Sequence, residues 1–360
     1  MSESERVRRR VTGGIIAALV ATLAAAGCGG GSAKTPNQDS KAPIEVWVRK
    51  PPGGPTEKTS KDLAAKFTET TGIQANVTAI FDGFETKLAQ AAAEKKLPDI
   101  VINDTDQVGA LAKQGIVTSV DRGKIAGGDQ LTDVAWSAAQ GYGKYYGVPF
   151  SAQSFALLIR KDWREKVGDP QPKSWDDMVT LAKDFTTKDP DGNGKADTFG
   201  FDVPGTVTRG YMSWFFASFL WSYGGDFFTA DGGKFKPAVN SDSSVAAVNW
   251  FKDLFCGAKV VQPGAVSTDT NNAHTAFESG KAGIYFTGPY LLGRFDKNLG
   301  KDKYEVVALP AGPGGKSISL AEGENVYLMA GSKNVAAQKK FAEFLPPPPA
   351  ATDETQGALW

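Results

Sequence analysis

Residues 73–104, "IQANVTAIFDGFETKLAQAAAEKKLPDIVIND", decide the fold. An apolar, β-branched run at residues 73–80 gives way to a helical pattern at 84–96, and a second apolar run follows at 99–104. Strand, helix, strand is the unit that joins parallel strands, because a parallel pair needs a crossover of a dozen or more residues. The same alternation begins upstream. "IEVWVRK" from Ile44 is a buried-strand pattern, and "TEKTSKDLAAKFTETTG" puts Leu63, Ala64 and Phe67 on one helical face before Gly72. This β-α-β-α-β order predicts an α/β fold whose mostly parallel sheet is covered by helices and binds ligands at the carboxyl ends of its strands. Those ends carry Arg49 and Lys50, Phe81 and Asp82, and Asn103, Asp104 and Asp106.

Composition excludes several chemistries. With 40 basic and 40 acidic residues the chain has no net charge, so it lacks the electrostatic footprint of a nucleic-acid binder. One histidine, His274, and two cysteines cannot build a multi-His or Cys-rich zinc site. At 360 residues, 41% of them hydrophobic, the chain is long enough for two domain-sized cores.

The N-terminus predicts export. A basic patch at residues 6–10, an apolar core "GIIAALVATLAAA" at 14–26 and small residues before Cys28 form a signal peptide over residues 1–28. The core is shorter than the ~20 residues a membrane-spanning helix needs. Its end, "AAGC", resembles a bacterial lipobox, which implies a lipidated Cys28. Residues 29–42, within "GGGSAKTPNQDSKAP", are a flexible tether by composition. An acylated Cys28 leaves Cys256 without a partner, and at the end of a helical apolar pattern Cys256 is expected to be a buried small hydrophobe.

A second body is expected after "GYGKYYGVPFSAQSFALLIRKD", two extended segments hinged at residues 149–154. Helical patterns follow at 174–187, in the aromatic "GYMSWFFASFLWSYGG", and at 242–255, with a hairpin-like "DFFTADGGKFKP" between the last two. Farther on, "EVVALPAGPGGKS" at 305–317 is nearly a phosphate-binding loop. Pro310 stands where that loop needs its first flexible glycine, and the segment after it, "SISLAEGENVYLMAG", predicts strand, turn and strand where a helix would be required.

Taken in order, "TGIQANVTAI", "EKKLPDIVIND", "GKYYGVPFSAQSFALLIRKD", "PKSWDDMVTLAKDF" and above all "TAFESGKAGIYFTGPYLL" resemble the extracellular solute-binding proteins of bacterial ABC sugar importers, the maltose-binding-protein type. The resemblance covers residues 42–345. It implies a two-lobed periplasmic-binding-protein type II fold, with residues 43–150 and 288–322 in lobe 1 and 151–287 and 323–345 in lobe 2, closing on a carbohydrate in the cleft. It also implies no catalysis, no required cofactor, a permease as partner, a monomeric state and an extracytoplasmic, membrane-anchored location.

Sugars present C–H patches that lie on aromatic faces and hydroxyls that pair with planar polar groups. Matched to the family block by block, Tyr290, Tyr211 and Trp214 fall at stacking platforms, with Arg209 beside the second of these. Gln153 falls at a hinge position, and Arg49, Lys50, Asp82, Asn103, Asp104 and Asp106 fall at first-lobe hydrogen-bonding positions. Arg49 and Lys50 equally fit surface charges beside "PPGGP", and "WFFASFLW" must turn about half its rings inward.

"KDPDGNGKADTFG" sets Asp189, Asp191, Asn193, Lys195 and Asp197 at positions 1, 3, 5, 7 and 9 of a calcium loop, with Gly194 at the tight turn but Gly200 where a bidentate glutamate belongs. A structural calcium and a side-chain-bonded Asx turn both fit it. Enzyme signatures are missing: the chain has no G-x-S-x-G elbow, and neither His274 nor Cys256 lies in a nucleophile motif. A secreted carbohydrate hydrolase stays open, since 40 carboxylates always supply some suitably spaced pair. A surface binding remnant that no longer transports is the other alternative.

After "AAQKKFAEFL" the sequence departs from the family pattern. "PPPPAATDETQGALW", residues 346–360, stands where relatives finish the second lobe, and its prolines stop the helix at Leu345. The expectation is a truncated or disrupted reading frame that exposes an apolar patch on the second lobe and lowers solubility.

Overall fold

The computed structural model describes residues 42–345 apart from 51, 54, 232 and 233. The expected signal peptide with Cys28, the tether up to residue 41 and the tail at 346–360 lie outside the described residues.

The opening alternation forms as expected. β1 (Ile44–Val48), α1 (Pro55–Thr71), β2 (Ala75–Ala79), α2 (Phe84–Ala93) and β3 (Ile100–Asp104) lead into α3 (Val108–Gln114), α4 (Asp133–Ser137) and a small hairpin of β4 (Gln140–Gly141) and β5 (Lys144–Tyr145). β6 (Val148–Ser154) and β7 (Ala156–Arg160) come next and belong to different sheets, so the chain crosses between lobes at Phe155. The second lobe then builds α5 (Lys161–Val167), α6 (Trp175–Thr187), β8 (Phe199–Asp202), α7 (Tyr211–Ser222), the hairpin of β9 (Phe228–Asp231) and β10 (Lys234–Pro237), and α8 (Asp242–Cys256). It continues with α9 (Thr270–Glu278), β11 (Ala282–Thr287), α10 (Leu292–Phe295) and β12 (Tyr304–Val307) before β13 (Ala321–Leu328) and α11 (Val335–Phe344) close the described chain.

The first sheet runs β2-β1-β3-β13-β6, with β1 parallel to β2 and β3 and only β13 reversed. Helices cover both faces. Period-two alternation sends Ile100 and Ile102 to one layer, with Phe67 and Phe341, and Val101 to the other, with Phe84 and Leu88. The second sheet runs β12-β7-β11-β8, and its core gathers Phe201, Phe215, Phe219, Phe277 and Phe286.

The expected lobe boundaries are corrected at three places. β12 pairs antiparallel with β7, so residues 288–320 belong to the second lobe and not the first. β13 pairs with β3 and β6, and Phe341 of α11 packs edge-on against Phe67 at 5.0 Å, so residues 323–345 belong to the first lobe and not the second, together with 321 and 322. Residues 151–154 also stay in the first sheet. Periodicity marks a strand but does not name its partner. The Gly/Pro turn between β12 and β13 is held on the second lobe, where Trp175 Nε1 donates to the Pro310 carbonyl at 2.9 Å and the Leu320 amide donates to Ser218 Oγ at 2.8 Å. No helix follows Lys316, and residues 317–320 form no strand. The second lobe exposes Phe228, Phe235, Val245 and Val248. Cys256, expected to be buried, is exposed because it falls on the outward side of the last turn of α8. No described helix is long and apolar enough to cross a membrane.

Candidate functional site

The carboxyl ends of β1 and β3 open onto the gap between the lobes. Arg49 follows β1, is buried, and sets its guanidinium over the Phe81 ring at 5.0 Å while ion-pairing with Asp104 at 3.0 Å. Lys50 reaches Glu324 at 3.0 Å and Asp104 at 3.8 Å. Burial alone would lower the Lys50 pKa, yet Glu324 and Asp104 outweigh it and the net shift is upward. Asp106 also faces the gap, and burial followed by the neighbouring Asp104 raises its pKa.

From the other side, two consecutive left-handed residues, Arg209 (φ 53°) and Gly210 (φ 72°), turn the chain into α7. The bend throws Arg209 across the gap, where it bonds Asp104 at 2.7 Å and also Glu85 of the first lobe. The first turn of α7 then presents Tyr211 and Trp214, whose rings lie 6.1 Å apart at 66°. Trp214 is braced edge-on by Phe155 at 4.5 Å, so the lobe crossing itself sets its plane. Tyr290 follows β11. Its ring stands over Gly288, where an added Cβ would lie 2.8 Å from the ring, and its hydroxyl is 3.1 Å from Thr287 Oγ1. Burial of that hydroxyl, and then the charge of Glu322, raise its pKa, although 41% of the residue remains exposed to the gap.

At the base, Glu322 at the start of β13 accepts from Trp214 Nε1 at 2.6 Å and from Gln153 Nε2 at 2.9 Å. Burial is the largest influence on it and lifts its pKa to about 7.

These side chains line one cleft with a volume of about 1170 Å3, larger than the ~300–1,000 Å3 of most small-ligand pockets. Of the sequence-predicted residues, the structure brings together Arg49, Lys50, Asp104, Asp106, Gln153, Arg209, Tyr211, Trp214 and Tyr290. It does not bring in two. Asn103 is buried and turns its side-chain oxygen to the Asp104 amide at 2.8 Å, and Asp82 is exposed on the turn before α2, outside the cleft. Strand alternation explains Asn103, since it points to the face opposite that of Asp104.

Sequence reasoning missed Glu322, Glu85 and the cleft-facing position of His274. The only signal for Glu322 was its place at the lobe crossing. His274 is buried 6.0 Å from the Tyr290 ring, its Nε2 has no partner among the described residues, and burial lowers its pKa to about 3, so the imidazole is neutral.

The expected calcium loop closes on its own hydrogen bonds. Asp189 accepts from the amides of Gly192, Asn193 and Gly194, while Asn193 donates to Asp191 at 2.7 Å and to Asp197 at 3.1 Å. Asp197 also lies 3.5 Å from Lys281, and the Lys195 amide bonds the Asn193 side-chain oxygen. Among the described residues no three His, Cys, Asp or Glu side chains converge as a metal cluster.

Two lobes joined by two crossing connections thus hold a polar cleft with aromatic walls between them. The pattern described as bacterial extracellular solute-binding protein matches residues 50–345. The chain belongs to this family. Relatives include a binding protein of Brucella abortus, 27% identical over 204 residues, or 56% of this chain and 47% of that one. The chain thus spans about half the length of that relative. A maltooligosaccharide ABC transporter solute-binding lipoprotein of Streptococcus pneumoniae is 24% identical over 91% of this chain and 74% of its own. Among solved structures, an ABC transporter solute-binding protein from Thermotoga lettingae bound to α-D-tagatose superposes with a TM-score of 0.72 over 85% of this chain and 76% of its own, at 24% identity. That likeness carries the two-lobed α/β fold.

Proposed function

We propose that this solute-binding protein captures a carbohydrate between its lobes and delivers it to the membrane permease of an ABC importer, tethered to the membrane through a lipid on Cys28. One observation carries the reading: Tyr211, Trp214 and Tyr290 supply ring faces from the second lobe while Arg49, Lys50, Asp104 and Asp106 supply planar or charged polar groups from the first, all on one cleft. Rings take the C–H faces of a pyranose and the polar groups take its hydroxyls. A ligand touched by both lobes favours the closed arrangement only by its differential affinity, which is why the site straddles Phe155 and Leu320. The cleft volume suits a sugar of more than one ring, and the maltooligosaccharide-binding relative supports that class. The protein acts as a monomer without catalysis or a required cofactor.

A thermal-shift screen over mono-, di- and oligosaccharides and polyols tests this, since a ligand at 100 times its Kd adds ~2.7 kcal/mol of stability. A flat response over the whole panel would overturn the reading. New reducing ends on incubation with oligosaccharides would replace it with a hydrolase.

A further inference from the structure

The charges around the cleft do not balance locally. Arg49, Lys50 and Arg209 pair with Asp104, Glu85 and Glu324, and Arg294 pairs with Glu278, while Lys297 also lines the cleft from the second lobe. Glu322 and Asp106 have no salt-bridge partner among the described residues, and both line the cleft. Glu322 is the more constrained of the two. Its two bonds come from neutral donors, the Trp214 indole and the Gln153 amide, one on each oxygen. Each carboxylate oxygen carries a further lone pair, so accepting capacity is left over on a side chain that lines the cleft.

A sugar hydroxyl could occupy that capacity, but it would leave a desolvated negative charge whose nearest cation, Lys50, is already bonded to Glu324 and Asp104. An ammonium group on the sugar would neutralise it, form a charge-assisted hydrogen bond and lie within reach of the aromatic faces. We propose that the ligand of this cleft is an amino sugar, a carbohydrate bearing a protonated nitrogen that Glu322 receives between the rings of Trp214, Tyr211 and Tyr290. This rests on the carbohydrate-binding reading above and narrows its class.

The protonation of Glu322 gives an independent readout. The titratable or charged groups around it are Lys50 just after β1, Asp104 of β3 and the Tyr290 hydroxyl, with Gln153 and Trp214 as neutral neighbours. With its pKa lifted to about 7, part of the population carries a proton at neutral pH. Seating an ammonium there expels the proton, whereas a neutral sugar does not.

Calorimetry at pH 7 with three β-1,4-linked probes tests the proposal: the glucosamine dimer, the N-acetylglucosamine dimer and cellobiose. The glucosamine dimer should bind at least about ten-fold tighter than either neutral probe, and its binding enthalpy should vary with the ionisation heat of the buffer because protons are released. In Glu322→Gln, folded by circular dichroism, the preference should fall below about three-fold and the proton release should vanish. Neutral probes binding as tightly as the glucosamine dimer, or a preference undiminished in Glu322→Gln, would overturn the amino-sugar assignment. So would the absence of binding by all three. In that case a positive hit among neutral sugars in the wider screen leaves the carbohydrate reading standing, and a silent screen removes both.

Discussion

The guanidinium of Arg209, on the second lobe, lies 2.7 Å from the carboxylate of Asp104, on the first, and it reaches there from a left-handed backbone position with φ 53°. A non-glycine residue in that region is uncommon and is held only where its surroundings over-determine it. Here the surroundings are Asp104 and Glu85, so the two lobes are bridged by a side chain whose backbone geometry serves that contact.

Removing the bridge should therefore open the protein. Arg209→Gly keeps the turn, since glycine accepts positive φ, and deletes the ion pair. A partly exposed pair contributes ~1 kcal/mol, enough to change the closed-to-open ratio about five-fold. Small-angle scattering of the variant should give a larger radius of gyration than the parent; superimposable curves would refute the bridging role.

Tyr290 is expected to act through its ring. Tyr290→Ala should weaken carbohydrate binding by ~1 kcal/mol or more, whereas Tyr290→Phe keeps most of the affinity. Gly288→Ala should imitate the alanine variant, because the new Cβ meets the ring at 2.8 Å and displaces it. Titration of all three variants with the best sugar from the screen checks this, and a Gly288→Ala protein of parental affinity would show that the ring is not positioned from there.

The shift on Glu322 fixes the sign of a pH effect. Its pKa is raised from 4.5 to about 7, so the fold favours the protonated acid. The stability it contributes is fully present below 4.5 and is lost as pH rises through 7. Relative to Glu322→Gln, the parent should melt at progressively lower temperature between these limits. Glu324 shifts in the same direction and His274 in the opposite one, but both are common to the two proteins and cancel in the comparison. Parallel melting curves across the range would show that Glu322 titrates normally.

Packing of α11 on the first lobe is open to a stability measurement. Phe341 is buried against Phe67 at 5.0 Å, and Phe341→Ala should cost ~3–5 kcal/mol. Hydrogen exchange should speed up in β1 and β3 before it does in β7 and β11. The reverse order would place the helix with the other core.

By itself the sequence determined the local grammar of the molecule. The alternation from Ile44 to Asp104 required a helix-covered parallel sheet, and strand ends such as Arg49, Lys50 and Asp104 marked where a ligand site must open. Rings at Tyr211, Trp214 and Tyr290 were legible because their blocks resemble a family whose order is conserved along the chain. Tertiary structure alone decided which sheet received β12 and β13, because strand pairing joins residues far apart in sequence and nothing in the local pattern of either strand names its partner. The same long-range pairing decided that Glu322 meets Gln153, 169 positions away, and that Trp214 meets Glu322 across 108. It decided as well that Asn103 faces inward while its neighbour Asp104 faces the cleft, since a one-residue step on a pleated strand reverses the side chain and register is fixed only once both faces are packed.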